Sequence, residues 1–582
     1  MKTNNSIIKW GTLAGLALAA GHISTPAQTS PPIQWEQSFG GSSAEYPAGS
    51  LKTSDGGYLL SATSNSGISG DKSNAGFGDY DVWVVKVDAR GRKQWDKSFG
   101  GSGYDAIYVE QQTSDGGYIL GGGSYSGVSG NKSCPGFGSN DYWIVKIDAN
   151  GSKQWDKSFG GSDFDYLVSV QETTNGGYIL GGNSSSGASG NKTNAGFGGG
   201  DCWIVKVDAN GSKQWDKSYG GNGGDAFCAL VQTSDGGYLL GATSDSGVSG
   251  NKTSAGFGSN DFWLVKIDAN GNKQWDKSFG GSNDDYLTSL QKTADGGYIL
   301  GGNTTSGVSG NKTSIGFGDN DAWVVKVDAN GNKQWDTSFG GSAYDGLSSL
   351  QQTPDGGYII GGDTVSDVSG NKTSPSFGGG DCWVAKLDAN GNKLWDQTFG
   401  GDDVELFASL QVTRDGGSIL NTMSFSTFPS YASGNKTSIG FGGYDAWVVK
   451  IDANGNKQWD QCFGGFGDDG FGPVEEPSDG GYLLIGSSTS GASGNKTSQG
   501  FGDADLWVVK IGLPSLTIDR SGTNAILSWP SPSTGFGLEQ NVGLGAANWT
   551  SVTQIPGDDG TTKSVPLPAT NSRFYRLKYQ YN

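Results

Sequence analysis

Histidine is almost missing from this 582-residue chain: there is one, His22, and it lies in a leader-like N-terminal stretch. Without it a mature chain cannot build a Ser-His-Asp or Cys-His nucleophile system, a histidine general base or a His-ligated zinc site. Cysteine is scarce as well. Cys134, Cys202, Cys228, Cys382 and Cys462 are odd in number and show no CxxC spacing, so no disulfide framework is implied. Cys202 and Cys382 fall where other repeats carry Val, Tyr, Phe, Ala or Leu, which marks a packing position. Long apolar runs are missing too: the one from Gly11 to Gly21 is far short of the ~20 residues that span a bilayer.

Basic charge is in short supply, with 39 Lys and Arg against 58 Asp and Glu. Lys2 and Lys9, the apolar run and the small residues Thr25-Pro26-Ala27 read as an export signal over residues 1–27, which places the protein outside the cell or in its envelope. Its removal leaves 37 basic against 58 acidic side chains, a net charge of −21. That surface repels nucleic acid and disfavours anionic membranes, leaving divalent cations, basic partners and neutral glycans as candidates.

What the chain does have is glycine and aromatics: 103 Gly, 19 Trp, 22 Tyr and 25 Phe, the composition of short strands joined by tight turns. Tryptophan recurs every sixty residues at Trp35, Trp95, Trp155, Trp215, Trp275, Trp335 and Trp395, then at Trp459 after a four-residue insertion around Phe428 to Ala432. A second series from Trp83 to Trp507 runs in step. One unit, 165–219, reads as strand A (165–172), a Thr-Thr-Asn-Gly-Gly turn, strand B (178–182), a long Ser/Gly/Asn loop, strand C (201–207), an Asp-Ala-Asn-Gly turn and strand D (213–219). Asn-Gly and Asp-Gly supply the positive φ that hairpins require. The array opens with a lone strand D, Gln34 to Phe39, and ends with a strand C, Leu506 to Ile511, that lacks a following D. Pairing the two predicts an all-β, eight-bladed β-propeller over 33–512, closed by its N-terminal strand and leaving no open edge. Residues 28–32 are then a linker, and 513–582 read as a small β-sandwich module of short alternating strands.

The order of A strand, turn, "GYILGG", "DxWVVK", turn and "W" resembles kelch units. Together, "SFGGSxxD", "DGGYILGG" and "DAWVVKVDANG" are more similar still to the bacterial β-propeller repeat called SBBP. That resemblance covers about residues 33 to 512 and implies a secreted propeller. The C-terminal module resembles the fibronectin-type modules of secreted bacterial proteins, which implies a tether or adapter.

In such a propeller the D-to-A linkers and the long B-to-C loops share one face, where ligands are expected. A carboxylate stands at the start of each strand A: Glu45, Asp105, Asp165, Asp225, Asp285, Asp345, Glu405 and Asp469. As a ring at the channel mouth these are candidate ligands for a cation, Ca2+ first, or for a polar molecule; the competing expectation is that each accepts N–H bonds within its own turn. A second series, Asp81 to Asp505, precedes the strand-C tryptophans, each followed five residues later by a lysine. Turn bonding or internal ion pairing is expected there. The stretch Asp268 to Asp276 places oxygen side chains as a calcium loop does, except that Lys273 stands where such a loop has Gly, and it also fits an ordinary hairpin. The same stretch is similar to the Gly-and-Trp hairpin of pyrroloquinoline-quinone dehydrogenases, although no adjacent cysteine pair accompanies it. Asn131, Asn191, Asn251, Asn311, Asn371, Asn435 and Asn495 head Asn-Lys-Ser/Thr triplets, read here as turn chemistry.

The expected function is non-catalytic: an exported binding or scaffolding propeller that engages a glycan, a polymer or a surface protein through its looped face. The alternative is a carboxylate- or quinone-dependent enzyme at the channel mouth, with Asp402, Asp403, Glu405, Asp468 and Asp469 as the place to look for an acid pair. A third reading makes the repeats a spacer for the C-terminal module.

Overall fold

A computed structural model describes residues 6–9, 18–20, 30–425, 432–477, 480–512, 516–530, 536–542, 549–559, 562–568 and 573–579. Among the described residues every regular element is a strand, and no helix is long and apolar enough to cross a membrane. Most of the expected leader, His22 included, lies outside the described residues. Its two described pieces, Ser6–Lys9 and Leu18–Ala20, pair with each other, and the first also pairs with Phe574–Tyr579. The expected insertion around Phe428 also falls outside them, at 426–431.

Each sixty-residue unit becomes a four-stranded antiparallel sheet in chain order. In the unit read above, Asp165–Glu172, Tyr178–Ser184, Asp201–Val207 and Lys213–Tyr219 are neighbours in that sequence. Strand B ends two residues later than its apolar stretch suggested, because Asn183 and Ser184 stay in register with Cys202 and Asp201. Among the described residues eight such sheets form, resembling propeller blades. The eighth draws its outer strand from the other end of the chain, in the order Ile33–Phe39, Asp505–Ile511, Tyr482–Ser488, Asp469–Glu475.

Most B and C strands are buried along their whole length while the D strands alternate. The reason is that successive sheets stack face to face. One apolar cluster joins Ile179, Ile204 and Tyr219 of the third sheet to Phe227, Leu240, Trp263 and Val265 of the fourth. The partly exposed strand-D tryptophans from Trp95 to Trp395 each lie under the hairpin of the next sheet. A Cβ at Gly271, whose φ is +78°, would sit 2.8 Å from the Trp215 ring, so both the positive φ and the close approach demand glycine.

The described chain falls into two compact units, Ser38–Val474 with Ile485–Trp507, and Met1–Gln37 with Glu475–Leu484 and Val508–Asn582. Within the first, the backbone N–H that opens one strand A donates to the carbonyl preceding strand C of the sheet before it, as from Asp285 to Asn260 at 2.8 Å. The same bond joins the last sheet to the first, from Glu45 to Ala504 at 2.7 Å. Within the second, Thr517–Ser521, Asn524–Pro530, Thr562–Pro568 and Gly557–Asp558 form one sheet. Phe536–Asn541 and Phe574–Tyr579 belong to another. Leu527, Trp529 and Val565 of the one share a buried cluster with Leu538, Tyr575 and Leu577 of the other.

Candidate functional site

The junction between the fourth and fifth sheets shows what the repeated linker does. Gly281 N donates to Asp285 Oδ2 at 2.7 Å, and Ser306 Oγ donates to the same oxygen at 3.0 Å. Asn311 closes the other side: its Oδ1 accepts from Gly280 N at 3.0 Å, its Nδ2 donates to Ser278 O at 2.8 Å, and its own N donates to Gly280 O at 3.1 Å. The residue before the linker pair has no room for a side chain. A Cβ on Gly280 would stand 1.8 Å from Asp261 Oδ1 and 2.9 Å from Asp285 Oδ2, so the two carboxylates dictate this glycine, while Ser306, 2.6 Å from a Cβ on Gly281, dictates the next.

The whole candidate series is placed in this way. Glu45, Asp105, Asp165, Asp225, Asp345, Glu405 and Asp469 accept from Gly41, Gly101, Gly161, Gly221, Gly341, Gly401 and Gly465 at 2.6–2.8 Å, and with Asp285 all eight are buried. Serine or threonine hydroxyls add to this, as from Ser64 to Glu45 and from Ser424 to Glu405, both at 2.8 Å. Burial raises the Asp165 and Asp285 carboxyls, and the surrounding donors oppose that rise. Among the described residues no three His, Cys, Asp or Glu side chains come together to hold a metal. Glu405 and Asp469 are occupied in their own turns, Asp402 and Asp403 are exposed, and Asp468 accepts from Tyr444 N at 3.0 Å. The amides of the Asn-Lys-Ser/Thr asparagines are likewise used internally.

The Asp81 series bonds its turn as expected: Asp261 Oδ2 accepts from Phe257 N at 2.8 Å. The expected pairing with the lysine five residues on does not form. Five is an odd step along a strand, which puts the two side chains on opposite faces and roughly 17 Å apart. Lys266 instead reaches Asp235 in the A-to-B turn of its own sheet, at 2.9 Å, and Lys86 pairs in the same way with Asp55 at 3.0 Å. The other oxygen of Asp261 is buried without a partner, as it is in Asp81, Asp141, Asp201, Asp321, Asp381 and Asp505.

Between Asp268 and Asp276 the chain makes a hairpin, with Asp268 Oδ1 accepting from Asn270 N and Asn272 N, both at 2.8 Å. Asp276 turns away to serve as a hub that the sequence reading missed. It accepts from Trp263 Nε1 at 3.1 Å, from Ser254 N and Oγ at 2.8 Å, from Thr253 N at 3.0 Å and from Thr253 Oγ1, and it pairs with Lys273. Burial would raise its pKa, but these donors outweigh burial and hold it well below the usual carboxylate range. Asp96, Asp156, Asp216, Asp336, Asp396 and Asp460 repeat the arrangement. The signal for it was the Trp-Asp of strand D, present in every unit but the first, where Trp35 is followed by Glu36; the Asp lies two residues before the serine that pairs with the strand-C tryptophan, as Asp276 and Ser278 do with Trp263. Cys202 and Cys382 are buried among apolar residues, as expected of packing positions.

With these groups committed to the scaffold, what faces outward on the loops differs from unit to unit. Every lysine of the B-to-C loops, from Lys72 to Lys496, is buried, and Lys312 lies 5.8 Å from the centre of the Trp323 ring. The exposed charges of these loops and of the D-to-A linkers are all acidic, including Asp79, Asp163, Asp245, Asp319, Asp367 and Asp503. In the first three sheets the positions flanking the linkers carry aromatics. Tyr46, Tyr80, Tyr104, Tyr125 and Phe164 follow one another with ring centres 6.1, 5.5, 6.1 and 6.1 Å apart.

No family model matches the chain. A stretch of 210 residues, 33% of the chain, is 24% identical to the regulatory protein FlaEY of Caulobacter vibrioides and spans 22% of that protein. Similar solved structures include the WD40 domain of Neurospora crassa Pan2, with a TM-score of 0.34, 9% identity and coverage of 68% of this chain and 94% of that one. Puromycin hydrolase matches at 0.39 with 11% identity over 86% and 62%, and a quinohemoprotein alcohol dehydrogenase of Pseudomonas putida at 0.33 with 12% identity over 74% and 77%. Scores this low carry no argument about activity, and the repeated four-stranded sheet of this chain rests on its own strand order.

Proposed function

We infer that the protein is an exported, non-catalytic binding or scaffolding β-propeller of SBBP and kelch-like type, with eight blades closed by the N-terminal strand and a small fibronectin-like β-sandwich after it. Its looped face engages a glycan, a polymer or a surface protein. The observation that carries this reading is how the carboxylates are used. Both repeated rows that could have formed a catalytic or metal site are buried in linker turns, while the sequence departs from its repeat on the exposed loops. Chemistry needs a special, asymmetric set of groups; here the asymmetry consists of exposed aromatic rings.

Arrays of neutral glycans and of surface proteins, probed with the mature chain, test this. Saturable binding to some members, abolished when loop-face residues are replaced, is the expected result. A flat response on both arrays would contradict it.

A further inference from the structure

The five rings from Tyr46 to Phe164 depart from the repeat on the looped face. Tyr46 is 53% exposed, Tyr104 39%, Tyr125 48% and Phe164 42%. Neighbouring rings meet tilted or edge-on, at 36°, 52°, 82° and 69°. A sixth ring, Tyr166, is 36% exposed and packs 4.8 Å from Tyr108. At the position of Tyr104 other units carry Ala44, Gly224, Asp284, Tyr344, Val404 and Asp468, and at that of Tyr125 they carry Asn65, Ser185, Asp245, Thr305, Val365, Phe425 and Thr489. The repeat therefore does not require rings here.

Charge decides what such a strip would take. Asp79 adjoins Tyr80, Asp163 adjoins Phe164, and both are exposed. Asp503, also exposed, acts electrostatically on Tyr80 and is tied by its N–H to Ser43 O in the neighbouring linker. No exposed basic residue lies in any described B-to-C loop or D-to-A linker. Burial, and then their neighbours' hydroxyls, push Tyr80 and Tyr104 above the usual phenol range, so the phenols stay neutral. Electron-rich ring faces set among carboxylates and free of competing cations are an environment for a guanidinium or ammonium group.

We propose that the Tyr46–Tyr80–Tyr104–Tyr125–Phe164 strip is a docking site for an arginine- and lysine-bearing polypeptide segment. This deepens the binding reading above and rests on it: the partner is a basic protein surface or tail, its cationic side chains lying over the rings and its charge matched by Asp79, Asp163 and Asp503.

The test is calorimetric titration of the mature protein with a deca-arginine peptide, with a deca-glutamate peptide as control. Saturable binding of the arginine peptide is expected, weakened by salt. The double variant Tyr104→Ala with Tyr125→Ala should weaken it roughly tenfold or more, while Tyr104→Phe with Tyr125→Phe, which keeps the rings, should change it by less than about threefold. Tyr286→Ala, at an exposed tyrosine outside the strip, should leave it unchanged, and melting curves of each variant confirm the fold. Absence of binding overturns the proposal, and so does binding that the double alanine variant leaves intact, since diffuse charge would then suffice. If the peptide fails while an array ligand binds, this site assignment falls and the broader binding reading stands; if both fail, both fall.

Discussion

Thermal unfolding is expected to show its highest midpoint near pH 4–5 and to lose on the order of 10 °C between about pH 5 and about pH 8. The cause is the row of buried carboxyls that face the linker glycines. Burial, with a further contribution from the carboxylate of the next strand A, raises Asp81, Asp141, Asp201, Asp261, Asp321 and Asp505 to about 6. Backbone N–H donors such as Phe257 and the neighbouring Lys252 oppose the rise in Asp261 without cancelling it. In the unfolded chain these groups return to the ordinary value of 3.8. Between the two values the folded state holds protons that the unfolded state has released, so stability is greatest below about 4 as far as these groups are concerned and falls as pH rises through about 6.

The hub aspartates set the acid limit by the opposite sign. Asp96 and Asp216 are lowered to about 2, their donors outweighing burial. Their contribution is complete above about 4 and is lost as pH falls towards 2. The two rows together define the window. Calorimetric melts from pH 3 to pH 8 check it, and Asp261→Asn should make the midpoint less dependent on pH in the upper half of that range.

Asp276→Ala is expected to destabilise the protein by about 3–5 kcal/mol, read from the urea midpoint at neutral pH. The substitution leaves Trp263 Nε1, two backbone N–H groups and two hydroxyls without their acceptor, and takes from Lys273 its carboxylate, leaving it Asn251 O and Thr253 Oγ1. Asp276→Asn keeps an acceptor of the same shape and removes the charge, so it should cost less. Trp263→Phe, which removes only the indole donor from one of these bonds and trims the ring, should fall between about 1 and 3 kcal/mol. An alanine variant as stable as the parent would show that the B-to-C loop is held by other contacts.

Most of the fold could be read from the sequence because sixty-residue periodicity repeats each signal eight times. Asn210-Gly211 marks the turn between Asp201–Val207 and Lys213–Tyr219, and the unmatched ends of the array pair in one sheet. The site was harder to read. A carboxylate such as Asp285 looks the same in sequence whether it faces a ligand or the N–H of Gly281 four residues earlier; only the three-dimensional turn distinguishes them. Of the two expectations for the Asp81 to Asp505 series, turn bonding and internal ion pairing, Asp261 follows the first, and Lys266 finds its acid through the A-to-B turn at Asp235, which spacing along one strand does not reveal. The Asp276 hub draws its donors from a loop more than twenty residues away, beyond the reach of local motifs. The aromatic strip consists of departures from the repeat, and a reading built on what recurs passes over Tyr104 and Tyr125.

The carboxylates at the starts of the A strands are bonded as joints of the scaffold, and the proposed binding belongs to the exposed loops. Thermal unfolding of the protein in EDTA and in millimolar calcium tests this directly, because a ligand of the native state must raise its stability. The expected result is the same midpoint in both. A clear rise with calcium, removed by Asp165→Asn with Asp285→Asn, would contradict the claim and make the series a metal site.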